Sequence, residues 1–232
     1  MSAALASRAE AAKLARLLGQ RDAAALAFLA SAPADELRRY REQVTDLLYD
    51  DGAAIARRAG EAARLLPPQA IATIARDALG ALLSARLGGQ LRPATAVQVV
   101  ARLDVAYLAE VAAELDPRRA ADVIAALPPE LVGDVAGEMA RIGEHVAMGR
   151  FVMHLDEAAL AACVEQLSDE DLLRIAFVAE GKERIDRLVA GLRDGRAARL
   201  PACARRSGLE DELADLLDHL GPAQRARVEA GA

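Results

Sequence analysis

The stretch Leu115 to Ala140, LDPRRAADVIAALPPELVGDVAGEMA, contains two leucines twelve residues apart, Leu115 and Leu127, and the same apolar spacing follows each. The fifth, eighth and ninth residues are Ala120, Val123 and Ile124 after Leu115, and Val132, Val135 and Ala136 after Leu127. Offsets of five, eight, nine and twelve are the i, i+3, i+4, i+7 rhythm of one helix face, so each unit predicts a short amphipathic helix. Asp116-Pro117 and Pro128-Pro129 follow the two leucines directly. Aspartate caps a helix start, proline fits the first turn, and proline also ends the helix before it.

The register extends outward from this stretch. Leu91 and Leu103 precede it at the same twelve-residue step, Leu155 and Leu167 follow it, and Leu66 begins a further unit upstream. In these units the fifth residues are Ile71, Ala96, Leu108, Leu160 and Leu172, and the eighth are Ile74, Val99, Val111, Cys163 and Ile175. The ninth are Ala75, Val100, Ala112, Val164 and Ala176. Helix starts are marked by Pro67-Pro68, Arg92-Pro93, Asp104-Val105, Asp156-Glu157 and Ser168-Asp169. Helices of about nine residues fall short of the roughly 12–15 at which isolated helices become marginal in water, so packing between neighbours must hold them. Such a chain reads as stacked helical hairpins with a continuous core.

The spacing slips to 28 residues between Leu127 and Leu155, where Arg141 to His154 predicts a longer or displaced helix carrying Ile142, Val146, Val152 and Met153, and a bend. Gly88-Gly89-Gln90 reads as a turn or hinge after a helix over about 69–87. Upstream, helices are predicted over about 3–19, 21–31, 34–49 and 52–65, with Pro33 and Asp51-Gly52 between them. Beyond Gly181 the reading is a helix over about 182–193, a break at Asp194-Gly195, a basic stretch through Arg205-Arg206, and a helix over about 208–219. Gly221-Pro222 then opens a frayed last unit. The expected organisation is a helical region 1–65, an array 66–180 and a helical cap 181–232, or all three as one continuous domain.

Composition agrees with an all-helical chain. Apolar residues make up 53% of the 232 positions, aromatics only 3% with no tryptophan, and mean hydropathy is +0.12. This is enough apolar surface for a core, and small side chains favour close-packed helices over strands. The net charge of −6 arises from interspersed arginines and carboxylates, which argues against a nucleic-acid footprint and against attraction to acidic membranes. The longest charge-free run, Ala23 to Ala34, has twelve residues, against the roughly 20 of a membrane-spanning helix. Residues 1–20 carry Arg8, Glu10, Lys13 and Arg16 through an amphipathic pattern, so no signal peptide is expected. Cys163 and Cys203 have no redox or metal-ligand spacing, and the expected setting is the cytoplasm.

Chemistry-bearing residues are few. His145, His154 and His219 are not at i, i+4 spacing, and no HExxH, GxSxG or phosphate loop is present. Cys163 stands at a position otherwise filled by Ile or Val, which reads as a packed thiol. Asp50-Asp51, Asp169-Glu170-Asp171, Glu210-Asp211-Glu212 and the Asp215/Asp218 pair offer oxygen ligands for weak magnesium binding, or simply complement helix dipoles. Arg118-Arg119 and Arg205-Arg206 read as solubilising groups or as contacts for an acidic partner. No catalytic, cofactor-binding or metal residue is assigned.

The run Leu115 to Ala140 resembles the N-terminal cytoplasmic domain of MgtE-type magnesium transporters, whose short helices recur with an L-x-P-x-x-x-A-x-[VI]-[LI] flavour. It is also similar to the helical repeats of the flagellar switch protein FliG. The likeness covers Leu91 to Ala179 and extends weakly to Leu66. It implies an all-α, right-handed superhelical array of short helical hairpins with repeats of about twelve residues, armadillo-like and similar to the MgtE N-terminal domain. The CBS and membrane domains that follow in that family have no counterpart in this sequence. The expected function is therefore a non-enzymatic, regulatory protein-interaction module with a protein partner and no cofactor. The alternative is a divalent-cation sensor linked to ion transport.

Overall fold

The computed structural model describes residues 2–20, 23–50, 53–193 and 195–231. Among them are sixteen α-helices and no strand. The first are α1 (Ser2–Leu17), α2 (Ala34–Asp50) and α3 (Ala53–Ala63), with a kinked 3-10 segment Ala23–Ser31 between α1 and α2. Then come α4 (Pro68–Ile74), a π-helical turn Ala75–Leu79 and α5 (Gly80–Gly88), in place of one continuous helix. Next are α6 (Pro93–Val100), α7 (Val105–Glu114), α8 (Ala121–Ile124), α9 (Pro129–Arg141) and α10 (His145–Phe151). The remainder are α11 (Glu157–Gln166), α12 (Asp169–Val178), α13 (Ile185–Ala190), α14 (Arg196–Ser207), α15 (Glu210–Asp218) and α16 (Pro222–Glu229).

Six of the seven units read from the leucine register begin a helix at the marked residue: Pro68, Pro93, Val105, Pro129, Glu157 and Asp169. The caps are physical. Asp104 accepts from the Tyr107 N–H at 2.8 Å, Asp156 from the Ala159 N–H at 2.8 Å, and Ser168 forms a reciprocal capping box with Asp171. The exception is Asp116-Pro117. Here the Asp116 carboxylate is buried against Arg118 and Arg119, and the helix is delayed to the single turn α8. At the register slip the extra residues lengthen α9, turn at Gly143 with φ +81°, and form the separate short helix α10.

The chain divides into two compact units, and neither is continuous in sequence. The first comprises Met1–Thr45, His145–Met153 and Leu167–Ala232; the second comprises Asp46–Glu144 and His154–Gln166. These borders differ from the sequence divisions at 65/66 and 180/181, because α1 packs on α10, α12 and α15. Leu5 and Ala9 of α1 join Phe177 and Val178 of α12 in one apolar cluster, with Val146 against it. Leu14, Leu173, Ile185 and Leu200 are fully buried, each contributing about 1.5–3 kcal/mol of hydrophobic stabilisation.

In the second unit, helices pack on the next but one: α3 on α5, α5 on α7, α7 on α9 and α9 on α11, while α4 packs on α6 and α6 on α8. The first unit repeats the rule with α10, α12, α14 and α16. Glycine permits the closest approaches. A Cβ at Gly133 would stand 2.9 Å from the Ala162 carbonyl oxygen of α11.

Two parts of the C-terminal sequence fold differently from the expectation. The basic stretch through Arg205-Arg206 belongs to the twelve-residue helix α14. Its arginines and the internal Pro201 hide a buried face of Ala197, Leu200, Cys203 and Ala204. The last unit is anchored rather than frayed. Val228 is fully buried, and Arg227 donates to the carbonyls of Val189, Ala190 and Leu192. Asp51-Gly52 and Asp194 lie outside the described residues.

Candidate functional site

The first unit buries a cluster of charges that includes Glu10 and Lys13 of the amphipathic first helix. Glu10 and Lys13, one turn apart on α1, pair at 2.6 Å with both side chains 2% exposed. Arg41 of α2 donates Nε to the other Glu10 oxygen at 3.1 Å, and its Nη2 stands 2.8 Å from Glu180 without hydrogen-bond geometry. Arg38 approaches Glu10 at 3.4 Å from the exposed side. Burial by itself would raise the Glu10 pKa, but Lys13, Arg41 and Arg38 outweigh it and hold the carboxyl below its ordinary value. Lys13 is also lowered, since burial outweighs the attraction of Glu10. The i, i+3 spacings Glu10/Lys13 and Arg38/Arg41 are visible in the sequence, but their burial is not.

The acidic run at the start of α12 is engaged residue by residue. Asp169 accepts from Arg196 at 2.8 Å and from Arg199 at 3.1 Å. Glu170 accepts from Arg174 at 2.7 Å and from the Ser207 hydroxyl at 2.8 Å. Asp171 holds the Ser168 cap and lies 2.7 Å from His145 Nε2. Burial raises the pKa of Asp169 and of Asp171, yet these hydrogen bonds outweigh it and leave both low. In α15, Asp211 and Glu212 take Arg8 at 2.6 and 2.9 Å, Asp215 is buried against Lys182, and Asp218 is exposed. Arg8 also lies 4.6 Å from the centre of the Phe177 ring. Among the described residues no group of three or more His, Cys, Asp or Glu side chains is placed to hold a metal ion.

His219 is 2.7 Å from the Asp215 carbonyl, and His154 is half-buried. Both cysteines are free and buried. Burial pushes the Cys163 thiol up to about 12, which disfavours the nucleophilic thiolate. Arg118 and Arg119 are exposed and pair with the chain's own carboxylates, Asp46 and Asp116, and Arg119 also covers the Tyr49 ring at 4.9 Å. Arg205 and Arg206 are exposed. Beside the π-helical turn, Tyr107 donates its hydroxyl to the Ala75 carbonyl at 2.5 Å and lies 2.7 Å from the buried Ser84 hydroxyl.

Most of the large apolar side chains that the second unit exposes belong to its first helices, from the end of α2 to α5. Leu65 is 87% exposed and Leu47 72%; Leu48, Leu66, Ile74, Leu82 and Leu83 are exposed as well. Arg57, Arg58 and Arg64 of the same segment are exposed too. The leucine register treats Leu66 and Ile74 as inward positions, so their exposure is not legible in it. Compared with known proteins, the chain matches no family model, no curated protein and no solved structure.

Proposed function

We propose that the protein is a non-enzymatic protein-interaction module, with short helices stacked into a repeat array similar in build to the MgtE N-terminal domain. The observation that carries this reading is the exposed leucine surface at one end of the next-but-one helix row. A repeat array is soluble alone when its terminal repeats turn a polar face outward. An end that presents Leu65, Leu66, Leu82 and Leu83 is instead dressed for a protein contact. The polar groups tell the same way. Asp169 holds Arg196, Glu10 holds Lys13, and the Cys163 thiol is masked, which supports side chains that serve structure rather than turnover.

Photo-crosslinking tests the reading. A photoreactive residue at position 65 or 82 of the full chain should give discrete protein adducts in its native cells, whereas the same residue at position 205 should not. Adducts at all three positions alike, or at none, would reject the assignment.

A further inference from the structure

The second unit is electrically polarised along its helix row. Residues 46–102, from the last turn of α2 through α6, carry seven arginines against five carboxylates. Residues 103–144 and 154–166, which include α7, α8, α9 and α11, carry twelve carboxylates against three arginines. The packing order α3, α5, α7, α9, α11 therefore runs from a basic end to an acidic one. Among the described residues, no carboxylate pairs with Arg57, Arg58, Arg64 or Arg92. The basic end is also the one that exposes leucines. At the acidic end, α11 exposes Glu157, Ala158 and Ala161, three and four residues apart and so on one face. That face is small and acidic where the other is bulky and basic.

We propose that the α3 end of one copy docks on the α11 end of a second copy, head to tail, with leucines against alanines and arginines against carboxylates. This rests on the stacked-array reading above and names its partner. Two different patches meet, so the contact is heterologous, and assembly should pass beyond a dimer to a closed ring or an open filament. Opposite charges on the two patches also disfavour the symmetric pairings of basic end on basic end and acidic end on acidic end.

Sedimentation velocity on the purified full chain, over about 5 to 500 µM, tests the proposal, with salt raised from 0.05 to 0.5 M to screen the charges. The expected result is a sedimentation coefficient that rises with concentration and falls with salt. Arg57→Glu/Arg58→Glu and Glu157→Lys should each weaken association by about tenfold or more, and mixing the two variants should restore much of it. Ala161→Arg, which is exposed and spares the core, should block association without changing thermal stability. A chain that stays monomeric across the range overturns the proposal. So does association indifferent to salt and to these variants, or binding of the monomer to anionic phosphatidylserine vesicles in its place. A monomer that still gives adducts to another protein from position 65 sinks this inference alone and leaves the interaction-module reading standing.

Discussion

Gly149 of α10 lies so close to α12 that a Cβ on it would stand 2.7 Å from the Val178 carbonyl oxygen. The obstacle is backbone, which cannot swing aside as a side chain can. Gly149→Ala should therefore destabilise the protein by about 1–3 kcal/mol, despite the roughly 1 kcal/mol that alanine gains over glycine in a helix. Gly88, at the end of α5, has open space around the same position, so Gly88→Ala should be neutral or stabilising. Urea unfolding of the two variants checks the opposite signs, and an unharmed Gly149→Ala would refute the close α10–α12 packing.

The buried Glu10 cluster predicts a sharp asymmetry between its members. Glu10→Ala leaves Lys13 and Arg41 buried together without their carboxylate, and one-sided removal of this kind costs about 3–5 kcal/mol. Replacing Glu10 and Lys13 together by Leu and Met should cost less than Glu10→Ala alone. A double-mutant cycle measured by thermal unfolding decides this.

Acid should unfold the chain through the same groups. Glu10, Asp169 and Asp171 have folded pKa values held below the ordinary 4.5 or 3.8. A depressed carboxyl pKa means that the unfolded chain binds the proton first, so the stabilisation is present above the ordinary value and lost as pH falls through the folded one. Urea midpoints should be flat with respect to these groups from about pH 7 to 5.5 and drop steeply below about pH 4.5. Asp169→Asn should flatten the drop.

Cys163 should be silent toward thiol reagents. With its pKa pushed up to about 12, only about one molecule in ten thousand carries the thiolate at pH 8. In a Cys203→Ala background, labelling by a disulfide reagent should follow the rate of unfolding and become immediate in denaturant. Rapid labelling of the native protein would contradict the burial.

Magnesium at millimolar concentration should leave the melting temperature unchanged. The carboxylates of Asp169, Glu170 and Asp171 already hold Arg196, Arg199, Arg174, Ser207 and His145, and a cation would have to displace them. A ligand bound to the native state alone raises apparent stability, so a clear upward shift would support the cation-sensing alternative.

The sequence by itself determined the helices and most of their starts. A leucine every twelve residues, followed by Asp, Ser or Pro, fixes where a short helix begins, because capping and proline geometry are local. It failed where distant groups intervene. Asp116 is drawn inward by Tyr49, Arg118 and Arg119 and delays its helix, and the Arg-rich, proline-bearing α14 is helical because its buried face packs on α12. Burial, and hence the Glu10 cluster and the exposed leucine end, was decided only by the tertiary structure. Amphipathic periodicity tells which residues share a face but not whether another helix covers it, and that depends on residues about thirty positions away or, for α1, more than a hundred.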